Sequence, residues 1–301
     1  MSIKSETIYR SEGFEFRLIT DFVKWPDGTT RPVCQVCYSK NELFVCTRDK
    51  HMPIAVFDMD GNFKRSFGES LPFNRTHGLF VNKDEELFVC DDGRHVVYKL
   101  DIYGNLLQTF GELDKHCDNG YDITVEWPHD LYTIKRAGEP FNRPTKMIEA
   151  PNGDLYCSDG YGNVSIHRFD KNGTLKKTWG GHGHGNGEFI LPHSLWAAPD
   201  NRIWVCDREG FRVEIFDENG EYLDQIAKLA TPADIWGDGE YVYIGLNEGG
   251  ILIYDLDRNL NAVIGYKKCP LRAHSITGDD KGNLYIGLLS GDSSVYKLER
   301  L

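Results

Sequence analysis

One unit recurs six times along the chain, and it limits what the chain can fold into more than any other feature. Each copy runs from a Pro- or His-containing turn into an apolar strand, an Asp/Asn/Gly turn, a second strand, a string of the form F-D-x-x-G-x and a closing strand. The copies open as PVCQVCYSKNELFVCTRD, RTHGLFVNKDEELFVCDDG, RPTKMIEAPNGDLYCSDGYGN, LPHSLWAAPDNRIWVCDREG, TPADIWGDGEYVYIGLNEG and LRAHSITGDDKGNLYIGLLSG. Units of about 40 residues built from short strands are propeller blades, each burying its faces against its neighbours around a central axis. The sequence therefore predicts an all-β, six-bladed β-propeller, with residues 1–301 forming one domain.

Turn chemistry supports the count. Asp60-Gly61, Tyr103-Gly104, Asn172-Gly173 and Asn219-Gly220 fall at one place in the unit, while the fifth copy keeps Asp255 and carries Arg258 where the glycine stands. The last copy ends at VYKLERL, one strand short, and FEFRLIT near the N-terminus belongs to no copy. Pairing the two completes the last blade and protects both exposed edges. Residues 113–140 form the one long insertion, between the second and third copies, and are expected to act as a lid.

Charge and hydropathy narrow the partners. Lys and Arg number 34 against 46 Asp and Glu, a formal charge of −12, which opposes nucleic-acid phosphates. Apolar stretches are strand-sized, far below the roughly 20 residues a membrane helix needs. The start, MSIKSETIYRSEGFEFRL, is polar where an export signal is apolar, so a cytoplasmic monomer is expected, with its eight cysteines reduced. Cys46, Cys90, Cys157 and Cys206 lie in strand patterns that suit buried thiols. Cys34 and Cys37 form a CxxC on a strand, where residues three apart face opposite sides, which weakens them as a zinc pair.

Register assembles a candidate site from scattered residues. His77, His193 and His274 each stand ten residues before the second strands opening at Leu87, Ile203 and Leu284, whereas Cys34, Thr145 and Ala233 occupy that position in the odd copies. Alternate blades of a six-fold ring set three imidazoles about 120 degrees apart at one mouth of the channel, and three histidines with an open position are a catalytic metal pattern. Zinc suits such ligands best, although iron, cobalt and copper also accept imidazole. Asp91, Asp159 and Asp207 end the second strands, where carboxylates bond turn amides. Beside them stand Arg48, Arg208 and Tyr161. Two guanidiniums near a metal would orient an acidic substrate, and a channel tyrosine beside a cation can act as a general base. The alternative is that the arginines pair with blade aspartates and the tyrosine packs. His182 and His184 in GGHGHGNGEF read as an inter-blade turn, and His129 in the inserted WPHDL as a residue that could reach over the channel.

THGL at His77, SDGYGN at Tyr161, LPHSL at His193, CDRE at Arg208 and AHSI at His274 resemble the NHL-type propellers, and among them the peptidyl-α-hydroxyglycine α-amidating lyases, over residues 30–300. The resemblance implies zinc on His77, His193 and His274, Tyr161 as the base that takes the substrate hydroxyl proton, and Arg48 and Arg208 as substrate holders. It also implies cleavage of a carbinolamide C–N bond in a small or peptide-like acidic substrate, with release of an amide and glyoxylate. The motif M-P-H-D usual in that family reads Arg272, Ala273, His274 and Ser275 here, and Ser275 argues against the structural calcium of the animal enzyme. Arg272 and the insertion would reshape the pocket. A metal-dependent hydratase or hydrolase on a small carboxylate, and a non-catalytic NHL binding scaffold, are the competing readings.

Overall fold

The computed structural model describes residues 7–266, 269–289 and 294–301, so Ser290 and Gly291 at the end of the sixth copy, and residues 1–6 of the polar start, lie outside the described residues. Two short strands come first, β1 (Ile8–Ser11) and β2 (Phe14–Ile19). Blade one is β3 (Val33–Ser39), β4 (Glu42–Thr47), β5 (Ile54–Asp58) and β6 (Phe63–Phe67). Blade two is β7 (Thr76–Val81), β8 (Leu87–Asp91), β9 (Val96–Leu100) and β10 (Leu106–Phe110). Blade three, after the insertion, is β11 (Pro144–Glu149), β12 (Leu155–Asp159), β13 (Ser165–Phe169) and β14 (Leu175–Gly180). Blade four is β15 (Pro192–Ala197), β16 (Ile203–Asp207), β17 (Arg212–Phe216) and β18 (Tyr222–Ala227). Blade five is β19 (Pro232–Gly237), β20 (Tyr241–Leu246), β21 (Gly250–Asp255) and β22 (Leu260–Tyr266). The chain ends on β23 (Ser275–Gly278), β24 (Leu284–Gly287) and β25 (Val295–Arg300).

Among the described residues every pairing between these strands is antiparallel, and the innermost strands β3, β7, β11, β15, β19 and β23 each touch the next, with β23 touching β3. That contact makes the six sheets a ring. The expected six-bladed propeller is what forms. Closure also follows the expectation: β2 pairs with β25, Leu18 opposite Leu298, and completes the last blade. The sequence reading did not include β1, which adds a fifth strand outside β2.

Local chemistry explains the repeat. In five blades an aspartate ends the third strand or directly follows it, and its Oδ1 accepts two amides of the following turn. Asp58 takes those of Asp60 and Asn62, Asp101 those of Tyr103 and Asn105, Asp170 those of Asn172 and Thr174, and Asp217 those of Asn219 and Glu221. Asp255 does the same, and Arg258 adopts φ 69° where Gly61 of the first copy stands at 76°. The cores lie between blades, where one face of each twisted sheet packs on the next. Among the described residues no helix is long and apolar enough to cross a membrane.

Phe16 of the closing strand is 1% exposed and packs among Tyr243, Ile251, Ile264 and Ile276, between the last two blades. Phe16→Ala should therefore cost about 3–5 kcal/mol, read from the shift in a urea unfolding midpoint.

Candidate metal centre

The innermost strands do not enter the channel as regular strands. In five blades the pairing slips at one place, so that Cys34, His77, Thr145, His193 and Ala233 fall in a bulge where the inner strand carries an extra residue against its partner. A bulge bends the strand and re-aims its side chains. In the sixth blade His274 holds the equivalent place just ahead of β23, its amide bonded to the Gly287 carbonyl.

Each imidazole is held by the following blade. His77 Nδ1 donates to the Thr145 carbonyl at 2.9 Å, His193 Nδ1 to the Ala233 carbonyl at 2.5 Å and His274 Nδ1 to the Cys34 carbonyl at 2.8 Å. A carbonyl only accepts, so the proton sits on Nδ1 in all three rings and leaves a lone pair on Nε2. Burial drives all three below the ordinary histidine range, His274 to about 3, with neighbouring His274 acting next on His77 and Arg208 next on His193 and His274. The rings are neutral at pH 7 and no more than 2% exposed, their centroids lie 4.9–5.1 Å apart, and their ligand atoms lie within 4.8 Å of one another.

Tyr161 follows β12 and brings its hydroxyl to the same point. Its Oη lies 3.2 Å from His77 Nε2 and 3.1 Å from His193 Nε2, and accepts from Arg208 Nη1 at 3.3 Å. One hydroxyl proton serves one acceptor, and His274 Nε2 has no partner, so at least two buried lone pairs point inward unpaired. Leaving such groups unpaired costs about 1–3 kcal/mol each. The donor set fits a metal ion: the triad could hold one.

Positive charge crowds the tyrosine. Guanidinium carbons of Arg75, Arg143 and Arg208 stand 5.5, 5.3 and 5.5 Å from its ring centroid. Arg48, exposed at the rim, acts electrostatically on Tyr161, Cys34 and Asp92. Asp92 is fully buried with Arg75 Nε at 3.5 Å and Arg143 Nη2 at 4.0 Å, yet neither of its oxygens accepts a hydrogen bond. Burial pushes its carboxyl up to about 6, against the pull of Arg75, Arg143 and Arg48.

The structure thus brings His77, His193, His274, Tyr161 and Arg208 into contact and sets Arg48 near them. Sequence reasoning passed over Arg75, Arg143 and Asp92, although register carried a signal. Arg75, Arg143 and Arg272 all stand two residues before the bulge position, and Asp92 shares the register of Arg48 and Arg208, one residue past β8, β4 and β16. Arg272, the one singled out, is exposed. Asp91, Asp159 and Asp207 bond turn amides as expected: those of Asn74 and Arg75, of Asn142, and of Ile190 and Leu191, on the loops entering the inner strands of blades two, three and four. All eight cysteines are free thiols.

From the insertion, Leu131 packs on Tyr161 with Ile190 and Leu191, and the Trp127 ring lies 6.2 Å from that of Tyr161 with Arg208 over it at 5.6 Å. Tyr121 donates to Asp130 and accepts from Arg143 Nη1 at 2.7 Å. His129 is exposed, so Trp127 from the same string is the residue beside the site. His184 is exposed, and His182 stacks edgewise on Tyr132 at 5.7 Å, in the loop before β15. Below the histidines, Lys146 Nζ pairs with Asp234 at 2.6 Å, and Gln35, Ser194 and the Ile276 amide also donate to that carboxylate. This layer lies between the site and a cavity of about 340 Å³ at the opposite mouth, lined by Trp196, Trp236 and Leu79 among others.

No protein-family model matches the chain. Human NHL repeat-containing protein 3 is 27% identical over 71% of this chain and 60% of its own length. A Caenorhabditis elegans protein named probable peptidyl-alpha-hydroxyglycine alpha-amidating lyase is 30% identical over 60% of this chain and 47% of its own. NHL-repeat proteins and amidating lyases are thus homologues at moderate identity, and the chain spans only about half the length of these relatives. A streptogramin B lyase structure superimposes with a TM-score of 0.65 over 95% of this chain and 98% of the other at 16% identity, a likeness of fold.

Asp92 supplies a pH test of the site's electrostatics. Its folded value, raised to about 6, exceeds that of an unfolded aspartate, so the folded state holds the extra proton and this group's contribution to stability falls as pH rises through that window. The unfolding free energy of Asp92→Asn minus that of wild type should accordingly increase by about 3 kcal/mol between about pH 3 and 7, measured by denaturant titration in a pH series.

Proposed function

We propose that this homologue of the amidating lyases is a metal-dependent lyase that breaks the carbinolamide C–N bond of an α-hydroxyglycine-type acid and releases an amide and glyoxylate. The observation that carries the reading is the meeting of Tyr161 Oη with His77 Nε2, His193 Nε2 and Arg208 Nη1 in one buried cluster. His77, His193 and His274 are the residues that would hold the ion, zinc by its preference for imidazole with an open position. Bound there, zinc supplies Lewis acidity at the channel mouth.

The chain's own groups account for the proton and the charge. Tyr161 Oη takes the proton of the substrate hydroxyl, whose electron pair closes the new C=O bond as the C–N bond breaks. The nitrogen leaves with that bond's electrons and receives from Tyr161 Oη the proton taken from the hydroxyl, so the tyrosine is restored, the amide and glyoxylate together contain every atom of the substrate and no water is consumed. Arg208 and Arg48 orient the carboxylate, and Arg208 also holds the charge on the phenol oxygen. Trp127 shields one side of the tyrosine from water. Eight free thiols suit a reducing compartment, so a cytoplasmic site of action belongs to this reading.

Wild-type protein should release glyoxylate from α-hydroxyhippurate, and Tyr161→Phe should lower kcat by about 10²–10⁴. No glyoxylate from wild type ends the assignment; incorporation of oxygen from labelled water into the acyl product, which does not exchange as glyoxylate does, turns it to a hydrolase. Protein purified without chelator or affinity tag should carry about one equivalent of zinc, and the double variant His77→Ala, His274→Ala less than about a tenth. Equal metal in both would favour a binding scaffold.

A further inference from the structure

The site holds more positive charge than a single carboxylate needs. Four guanidiniums, Arg48, Arg75, Arg143 and Arg208, act on Tyr161, against three carboxylates, Asp92, Glu209 and, by way of Tyr121, Asp130. Glu209 is committed to Arg208 Nε at 2.9 Å. Asp92 lies between Arg75 and Arg143 but accepts no hydrogen bond from either, so it balances charge without occupying their donors. A metal ion on three neutral imidazoles would add to the excess.

Position matters as much as number. Arg208 reaches Tyr161 from blade four beside Trp127, whereas Arg75 and Arg143 come from the loops entering blades two and three. Arg143 is held in place: Nη1 donates to Tyr121 Oη at 2.7 Å, and Tyr121 donates to the buried Asp130 of the insertion. Such holding pre-organises a guanidinium for a planar anion.

Building on the lyase reading, we infer that Arg75 and Arg143 form a second anion subsite and that the substrate is a dicarboxylate, with one carboxylate on the α-hydroxyglycine carbon and another on the acyl portion. The second carboxylate fills donors that Asp92 leaves open, and the inserted segment sets their aim through Tyr121.

Succinate and butyrate, equal in carbon number and different by one carboxylate, test this by calorimetric titration without turnover. Succinate should bind at least about tenfold tighter, and Arg75→Gln and Arg143→Gln should each erase most of that preference. Equal affinities in wild type, or a preference unmoved by both substitutions, overturn the subsite. Arg75, with its side chain 38% exposed, keeps the test valid should the buried Arg143 variant fail to fold. Glyoxylate release from N-succinyl-α-hydroxyglycine should exceed that from α-hydroxyhippurate in kcat/KM by a similar factor. No glyoxylate from either, with succinate preference intact, supports the subsite and sinks the lyase reading alone.

Discussion

Three hydrogen bonds between blades, from imidazole Nδ1 to the carbonyl of the next blade, are what the rest of the site depends on. Each joins a histidine of an even blade to the bulge residue of the following odd blade, so all six equivalent positions take part, three as donors and three as acceptors. The bond sets the tautomer, and the tautomer decides that Nε2 faces the axis with a free lone pair. Packing of the ring and readiness for a metal are therefore one interaction. The Lys146–Asp234 layer beneath adds a polar floor at the next residue of the same strands.

Around that centre, burial and arginine charge act together on the histidines and keep them neutral, whereas on Asp92 they oppose each other: desolvation raises its carboxyl and Arg75, Arg143 and Arg48 pull it down. A neutral donor set inside a positive collar suits a cation held by lone pairs and an anion held by guanidiniums. The insertion contributes to both sides, through Leu131 and Trp127 against Tyr161 and through Tyr121 on Arg143.

Much of this was legible because it is local and repeated. The aspartate turns were readable since each carboxylate bonds amides two and four residues ahead, and Arg258 at φ 69° marks where the fifth copy departs from glycine. The closing strand was readable from an unpaired edge; β1 was not, because Ile8–Ser11 is four residues long and outside any repeat. Arg75 and Arg143 were readable in register but look, one at a time, like ordinary loop arginines. Inside the insertion no register exists, which is why His129 drew notice from its motif while Trp127 stands by the site.

By itself the sequence determined the number of blades, the alternation of histidines and the residues that share a level around the axis, because a repeat converts spacing along the chain into position on a ring. The tertiary structure decided which way those side chains point and what they meet. A bulge of one residue, a carbonyl from the adjacent blade and a guanidinium from the loop of another are set by how strands pair and blades pack, and one copy of the repeat read alone does not encode its neighbour. For the three histidines, spacing put them on one ring, and the carbonyls of Thr145, Ala233 and Cys34 aimed them at one point.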